Sequence, residues 1–114
     1  MDASAMVAFF GAHPRLMALL DQADAGTVNL LLPTTAIADA QAKLGASMDA
    51  WHALLLSPGV LPLPLAQHAA IEIGGWAGEL SVRHAVHEAR AMRAAVVTCE
   101  PGLYRGMDVT LLAV

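Results

Sequence analysis

A single cysteine, Cys99, stands in this sequence, so no internal disulfide can staple the fold. Basic residues are scarce as well: Lys and Arg number 6 against 10 Asp and Glu, for a net charge of −4. A broad electrostatic grip on duplex nucleic acid, which rests on neutralising several phosphates, is excluded by that balance, while a local basic stripe still suits a short single strand. Aromatic residues make up 4% of the chain, too few for a platform on which successive bases stack. The opening Met-Asp-Ala-Ser has no basic start followed by an apolar stretch, so no secretory signal is expected and the cytoplasm is the expected location. No membrane span is expected either. The longest stretch without a formal charge, Ala50 to Ile71, is interrupted by Pro58, Pro62 and Pro64 and contains Gln67 and two histidines. Repeats, low-complexity tracts and linkers are absent, and Gly74-Gly75 stands in no G-x-G-x-x-G or Walker pattern that would indicate a nucleotide cofactor.

What the chain does have is apolar residues, 57% of 114, many of them alanines that let thin helices pack closely. That supports one core, and residues 1–114 read as a single domain. Asp2 is placed to cap a helix from Ala3 to about Phe10, ended by Gly11, and Pro14 suits the first turn of a second helix striped by Leu16, Leu19, Leu20 and Ala23. Val28 to Leu32 is a continuous apolar run that predicts a buried strand ended by Pro33. A helix then turns Ile37, Ala40 and Leu44 inward and Asp39, Gln41 and Lys43 outward, closed by Gly45, and another runs from Ser47 through Leu56. After the Ser57-Pro58-Gly59 turn come a short strand, Val60 to Leu63, and a helix from Ala66 to Trp76. The spacing of Val82, Ala85, Val86, Ala89 and Met92 predicts a helix over Ser81 to Arg93, with Arg83, His87 and Arg90 on its other face. Strands at Ala95 to Thr98 and Val109 to Ala113 flank a turn-rich loop, Glu100 to Asp108. Strands separated by helices predict an α/β fold: a mostly parallel sheet of about four strands with helices on both faces.

Three carboxylates stand at starts or ends of these elements: Asp2 at the beginning, Asp39 in the helix after Leu-Leu-Leu-Pro, and Glu100 after Val-Val-Thr. Chemistry in open parallel sheets collects at strand ends, and metal-activated hydrolysis of a phosphodiester needs carboxylates converging on one point. Each also has a plainer reading: Asp2 as a helix cap, Asp39 with Lys43 as an ordinary pair one helical turn apart, Glu100 as loop chemistry beside Pro101-Gly102. His84 and His87 read as a polar helix face, because no third and fourth ligand follows at a zinc-site spacing. The Arg83, His87, Arg90 stripe and Arg105 read as solvated charge before they read as phosphate contacts, Trp51 and Trp76 as packing anchors, and Cys99 as a buried core residue.

At the three acids the chain resembles the PIN-domain family of small metal-dependent ribonucleases, which includes the VapC-type toxins of toxin-antitoxin pairs. Asp2-Ala-Ser-Ala-Met is similar to the family's opening D-x-S-A-hydrophobic, Leu32-Pro33 through Asp39 to its P-x-x-x-x-x-E helix, and Val96-Val97-Thr98-Cys99-Glu100-Pro101 to its L-V-T-x-D. The resemblance implies a three-layer sandwich and a Mg²⁺- or Mn²⁺-dependent endoribonuclease acting on single-stranded RNA. It further implies Asp2, Asp39 and Glu100 as metal ligands, direct or through water, and Thr98 hydrogen-bonding a carboxylate or a metal-bound water. An antitoxin protein and a second copy of the chain, as a homodimer, are the protein partners it suggests. Two departures accompany it. The position of the family's third carboxylate falls on Val82, with Glu79 the nearest substitute, and the central strand that precedes the family's first Asp is absent or drastically short ahead of Asp2. These departures and the apolar surplus give an alternative expectation, a catalytically degenerate PIN-like module that binds a protein partner.

Overall fold

A computed structural model describes residues 1–114 as an α/β domain whose strands are short and pair in parallel. Asp2 does cap the first helix, α1 (Ala3–Phe10), its carboxylate accepting from the Ala5 N–H at 2.9 Å. Pro14, with no N–H to leave unpaired, opens α2 (Pro14–Asp24). The apolar run yields β1 (Leu30–Pro33), which begins two residues later than the sequence pattern suggests and passes through Pro33 directly into α3 (Thr34–Leu44). Gly45, at φ +56, closes α3 in the left-handed conformation that glycine adopts without steric cost. Ser47 caps α4 (Met48–Leu55), accepting from the Ala50 N–H at 3.2 Å. There follow β2 (Val60–Leu63), α5 (Gln67–Ile73), α6 (Leu80–Met92), β3 (Val96–Thr98), a 3₁₀ turn over Pro101–Tyr104 and β4 (Leu111–Ala113).

The four strands do not form one sheet. β1 pairs in parallel with β2, Leu30 opposite Val60, and β3 pairs in parallel with β4, Val96 opposite Leu111, as two separate ribbons. What lies between them is the start of the chain. The Met1 amine donates to the Leu31 carbonyl at 2.7 Å and the Asp2 N–H donates to the Val97 carbonyl at 3.0 Å, so the two residues bridge β1 to β3. The spatial order is therefore β2, β1, Met1-Asp2, β3, β4. Beyond Asp2 the bridge does not continue as a ladder, because Asp2 caps α1 and the backbone turns away into the helix.

Two hydrophobic clusters hold the ribbons. The larger joins α1, α2, α3 and α4 to β1 through buried Met6, Leu16, Leu32, Ala36, Trp51 and Leu54. In it Trp51 stacks tilted on Phe10 at 4.7 Å between ring centres and donates its indole N–H to the Gln41 Oε1 at 2.7 Å. The smaller joins α6 to β3 through Val82, Val86, Val96 and Tyr104. Gly59, in the turn ahead of β2, has φ +77, and a Cβ there would stand 2.6 Å from the Ala23 carbonyl oxygen. The close approach of that turn to the end of α2 thus requires glycine. No single helix is long and apolar enough to cross a membrane.

Candidate functional site

β1 and β3 run in one direction, and the residues that follow them, together with Asp2, gather at the same end of the molecule. There a cleft of about 330 Å³ is lined by Asp2, Ser4, Asp39, Lys43, Glu79, Ser81, Val82 and Glu100, among others. The three acids singled out in the sequence share this cleft, and Glu79 and Val82, the pair at issue for the missing carboxylate, line it too.

Asp2 is held tightly. Its Oδ1 accepts from the Ala5 N–H and from the Ser4 hydroxyl at 2.7 Å, and its Oδ2 accepts from the Tyr104 hydroxyl at 2.8 Å. Because Ser4 gives its proton to the carboxylate, its oxygen accepts from the others: the Cys99 N–H at 2.9 Å and the Thr98 hydroxyl at 3.2 Å. Thr98 in turn accepts from the Glu100 N–H at 2.9 Å. Every donor in this chain points the same way, from the backbone of Glu100 through Thr98 and Ser4 to the Asp2 carboxylate. Thr98, wholly buried, therefore reaches the carboxylate through Ser4 and fixes the backbone of Glu100; the expectation was a bond to a carboxylate or to a metal-bound water. Burial first, and then the charge of Asp2, pushes the pKa of Tyr104 far above the usual tyrosine range, so it stays a proton donor.

Asp39, Glu79 and Glu100 are exposed, and their carboxylates make no hydrogen bond or ion pair; Asp39 and Lys43 do not pair. No three His, Cys, Asp or Glu side chains lie close enough to hold a metal ion directly. The donors are nonetheless all oxygens, the set hard cations choose, and Mg²⁺ commonly takes only one or two carboxylates and fills its remaining positions with water. A carboxylate offers about four acceptor sites. Three are occupied on Asp2, which leaves one on Oδ2.

Several other residues behave differently from their sequence reading. His84 does not lie on a polar face; it is wholly buried, with Nδ1 2.7 Å from the Thr35 hydroxyl and Nε2 3.4 Å from Glu88. Desolvation lowers its pKa, opposed by Glu88. Arg83, half-buried, donates to the Ile73 carbonyl, and Arg90, which is exposed, donates to that of Asp108 with its guanidinium 5.3 Å from the Trp76 ring, so each arginine of the stripe makes one bond to the protein's own backbone. Cys99 is half-buried, not in the core, and its pKa is raised by burial and then by Asp2 and Glu100, which makes it a poor thiolate nucleophile. Ser4 and Tyr104 went unmarked in the sequence. Ser4 lies inside the D-x-S motif, and that was the signal available for it; Tyr104 carries none, being an aromatic in a turn-rich loop. No protein-family model matches this chain, and neither the curated proteins nor the solved structures hold a significant match to it.

Proposed function

We propose that the protein is a PIN-like, Mg²⁺- or Mn²⁺-dependent endoribonuclease of the toxin type, acting on single-stranded RNA at the cleft formed by Asp2, Asp39, Glu79 and Glu100. The observation that carries the reading is the shared cleft: acids from the beginning, middle and end of the chain line one depression where parallel strands end. Asp39, Glu79 and Glu100 would hold the cation with Asp2, chiefly through water. When bound, the cation lowers the pKa of a water and neutralises charge developing on the phosphate.

The chain's own residues have separable tasks in this scheme. Tyr104, Ser4 and the Ala5 N–H orient Asp2, and Thr98 fixes the backbone that presents Glu100. Glu79 takes the part of the carboxylate missing at Val82, both residues lining the cleft. Lys43, the cation lining the cleft, is placed to meet a phosphate oxygen. A PIN-like sandwich with the two ribbons as halves of one central sheet belongs to the same proposal. The test is cleavage of a single-stranded RNA by the purified protein with Mg²⁺ and with Mn²⁺. Activity lost in Glu100→Gln and Asp39→Asn supports the reading, and wild-type protein inert with both metals ends it.

The second reading, a catalytically degenerate module that binds a protein partner, is favoured by the exposure of Leu56 and Ile71, 82% and 74% accessible. Light scattering separates the two: a strictly monomeric protein with no co-purifying partner counts against it.

A further inference from the structure

At the other end of α6 from Glu79 and Ser81, an open cleft of about 550 Å³ is lined by Arg90, Arg93, Asp108, Thr110 and small apolar residues. We infer that it binds a small sugar phosphate, with the phosphate between the two guanidinium groups and the sugar over Ala94 and Ala95. The inference is independent of the nuclease reading, whose residues line a different cleft.

Charge is the first argument. The chain has 6 Lys and Arg against 10 Asp and Glu, yet two of its arginines meet in this cleft and neither forms an ion pair. Asp108 does not neutralise them, because Arg90 bonds its main-chain carbonyl, from Nε at 2.7 Å. That bond and the Trp76 ring, 5.3 Å away, hold the Arg90 guanidinium in place while both terminal nitrogens stay unpartnered. A fixed fork with free nitrogens takes two phosphate oxygens at once. Arg93, fully free of hydrogen bonds at its side chain, supplies the second charge. Its backbone stands at φ +52, the left-handed conformation in which a side chain is strained and glycine is not. The helix dipole does not require an arginine at that position, since Arg90 already places a cation in the last turn of α6.

Backbone chemistry is the second argument. Val96 donates to the Thr110 carbonyl at 2.8 Å, and by the alternation of a parallel ladder the next rung outward runs from the Thr110 N–H to the Ala94 carbonyl. That rung is not made, and the cleft opens between the two residues. The Thr110 N–H and hydroxyl are left as donors for phosphate oxygens, and the Ala94 carbonyl as an acceptor for a sugar hydroxyl. The end of α6 does not compete for the anion's partners: its Ala89 and Arg90 carbonyls already accept from the Ala94 and Arg93 N–H groups at 2.8 and 3.3 Å. Ala94, Ala95 and Val109 complete a shallow apolar wall, and the volume matches that of ordinary small-molecule sites.

The test titrates the ¹⁵N-labelled chain with ribose 5-phosphate, AMP and ribose at pH 7.5. The Thr110 amide should shift saturably with either phosphate, at least about tenfold more tightly than with ribose, and the tighter of the two identifies the source as a free sugar phosphate or a nucleotide. Arg93→Gly, which suits the left-handed backbone and so keeps the fold, should weaken binding by at least about tenfold. Arg105→Gln removes the same charge from the neighbouring loop and should change it less than about twofold. Equal affinity for ribose and its phosphate, full affinity in Arg93→Gly, or an equal loss in Arg105→Gln overturns the proposal, the last because net charge would then be the whole attraction. So does tighter binding at Thr110 of a uridine hexanucleotide without terminal phosphates, because the cleft then takes the phosphodiesters of an RNA strand.

Discussion

Removing one hydroxyl, by Tyr104→Phe, measures how far the fold depends on the bond that ties its last loop to its first helix. Tyr104 is 2% exposed and Asp2 4%, and the phenol donates to the Asp2 Oδ2 at 2.8 Å. Phenylalanine keeps the ring and its packing against α6, so the loss is confined to one hydrogen bond to a charged group, together with the oxygen left without a protein donor. Such bonds contribute roughly 1.5–3 kcal/mol, and about 2 kcal/mol is expected here because Oδ1 keeps both of its donors. At an unfolding entropy of about 2.1 cal/mol/K per residue, a chain of 114 residues loses about 8 °C in Tm. Urea unfolding of the two proteins at pH 7 reads the difference, with an unchanged slope showing that the unfolding itself is the same. A Tyr104→Phe protein within about 0.5 kcal/mol of the wild type would refute the reasoning, since the carboxylate would then be satisfied by solvent.

Other consequences are open to measurement. Burial lowers the Met1 ammonium pKa from 8.0 to about 6, so the unfolded chain binds this proton below pH 8 while the folded chain does so only below about 6. Stability should rise from pH 6 to pH 8 by about 2 kcal/mol, and N-terminal acetylation should remove that part of the slope in urea titrations. Gly59→Ala should cost about 3 kcal/mol, the sum of a left-handed φ and a Cβ driven against the Ala23 carbonyl, and a loss below about 1 kcal/mol would show that the turn relaxes. Glu100→Gln and Asp39→Asn should each lower metal-dependent RNA cleavage by about 10- to 100-fold with unchanged Tm, as expected for groups that are exposed and unbonded.

Local signals in this sequence are strong and long-range ones are weak. Asp2, Pro14, Gly45 and Ser47 mark helix ends through chemistry that acts within four residues, and the structure follows them closely. The strands are harder to delimit: Val28 and Asn29 stay outside β1, and Val109 outside β4, because a strand exists only where a partner lies alongside. Pairing is also why the split into two ribbons was illegible in the apolar runs, whose patterns suit one sheet or two equally. Asp2 is the helix cap its plainer reading gave, and it also lines the cleft. The burial of His84, read as part of a polar helix face, was illegible because its partner, Thr35, lies 49 residues away on another helix.

The Asp2 network has a consequence for biosynthesis. Three of its side-chain bonds join residues separated by 94 to 102 positions, from Ser4 with Thr98 to Asp2 with Tyr104. The opening acid finds Ser4 and Ala5 at once but gains Tyr104 only after about a hundred further residues have been synthesised, and such distant closures form late and slowly.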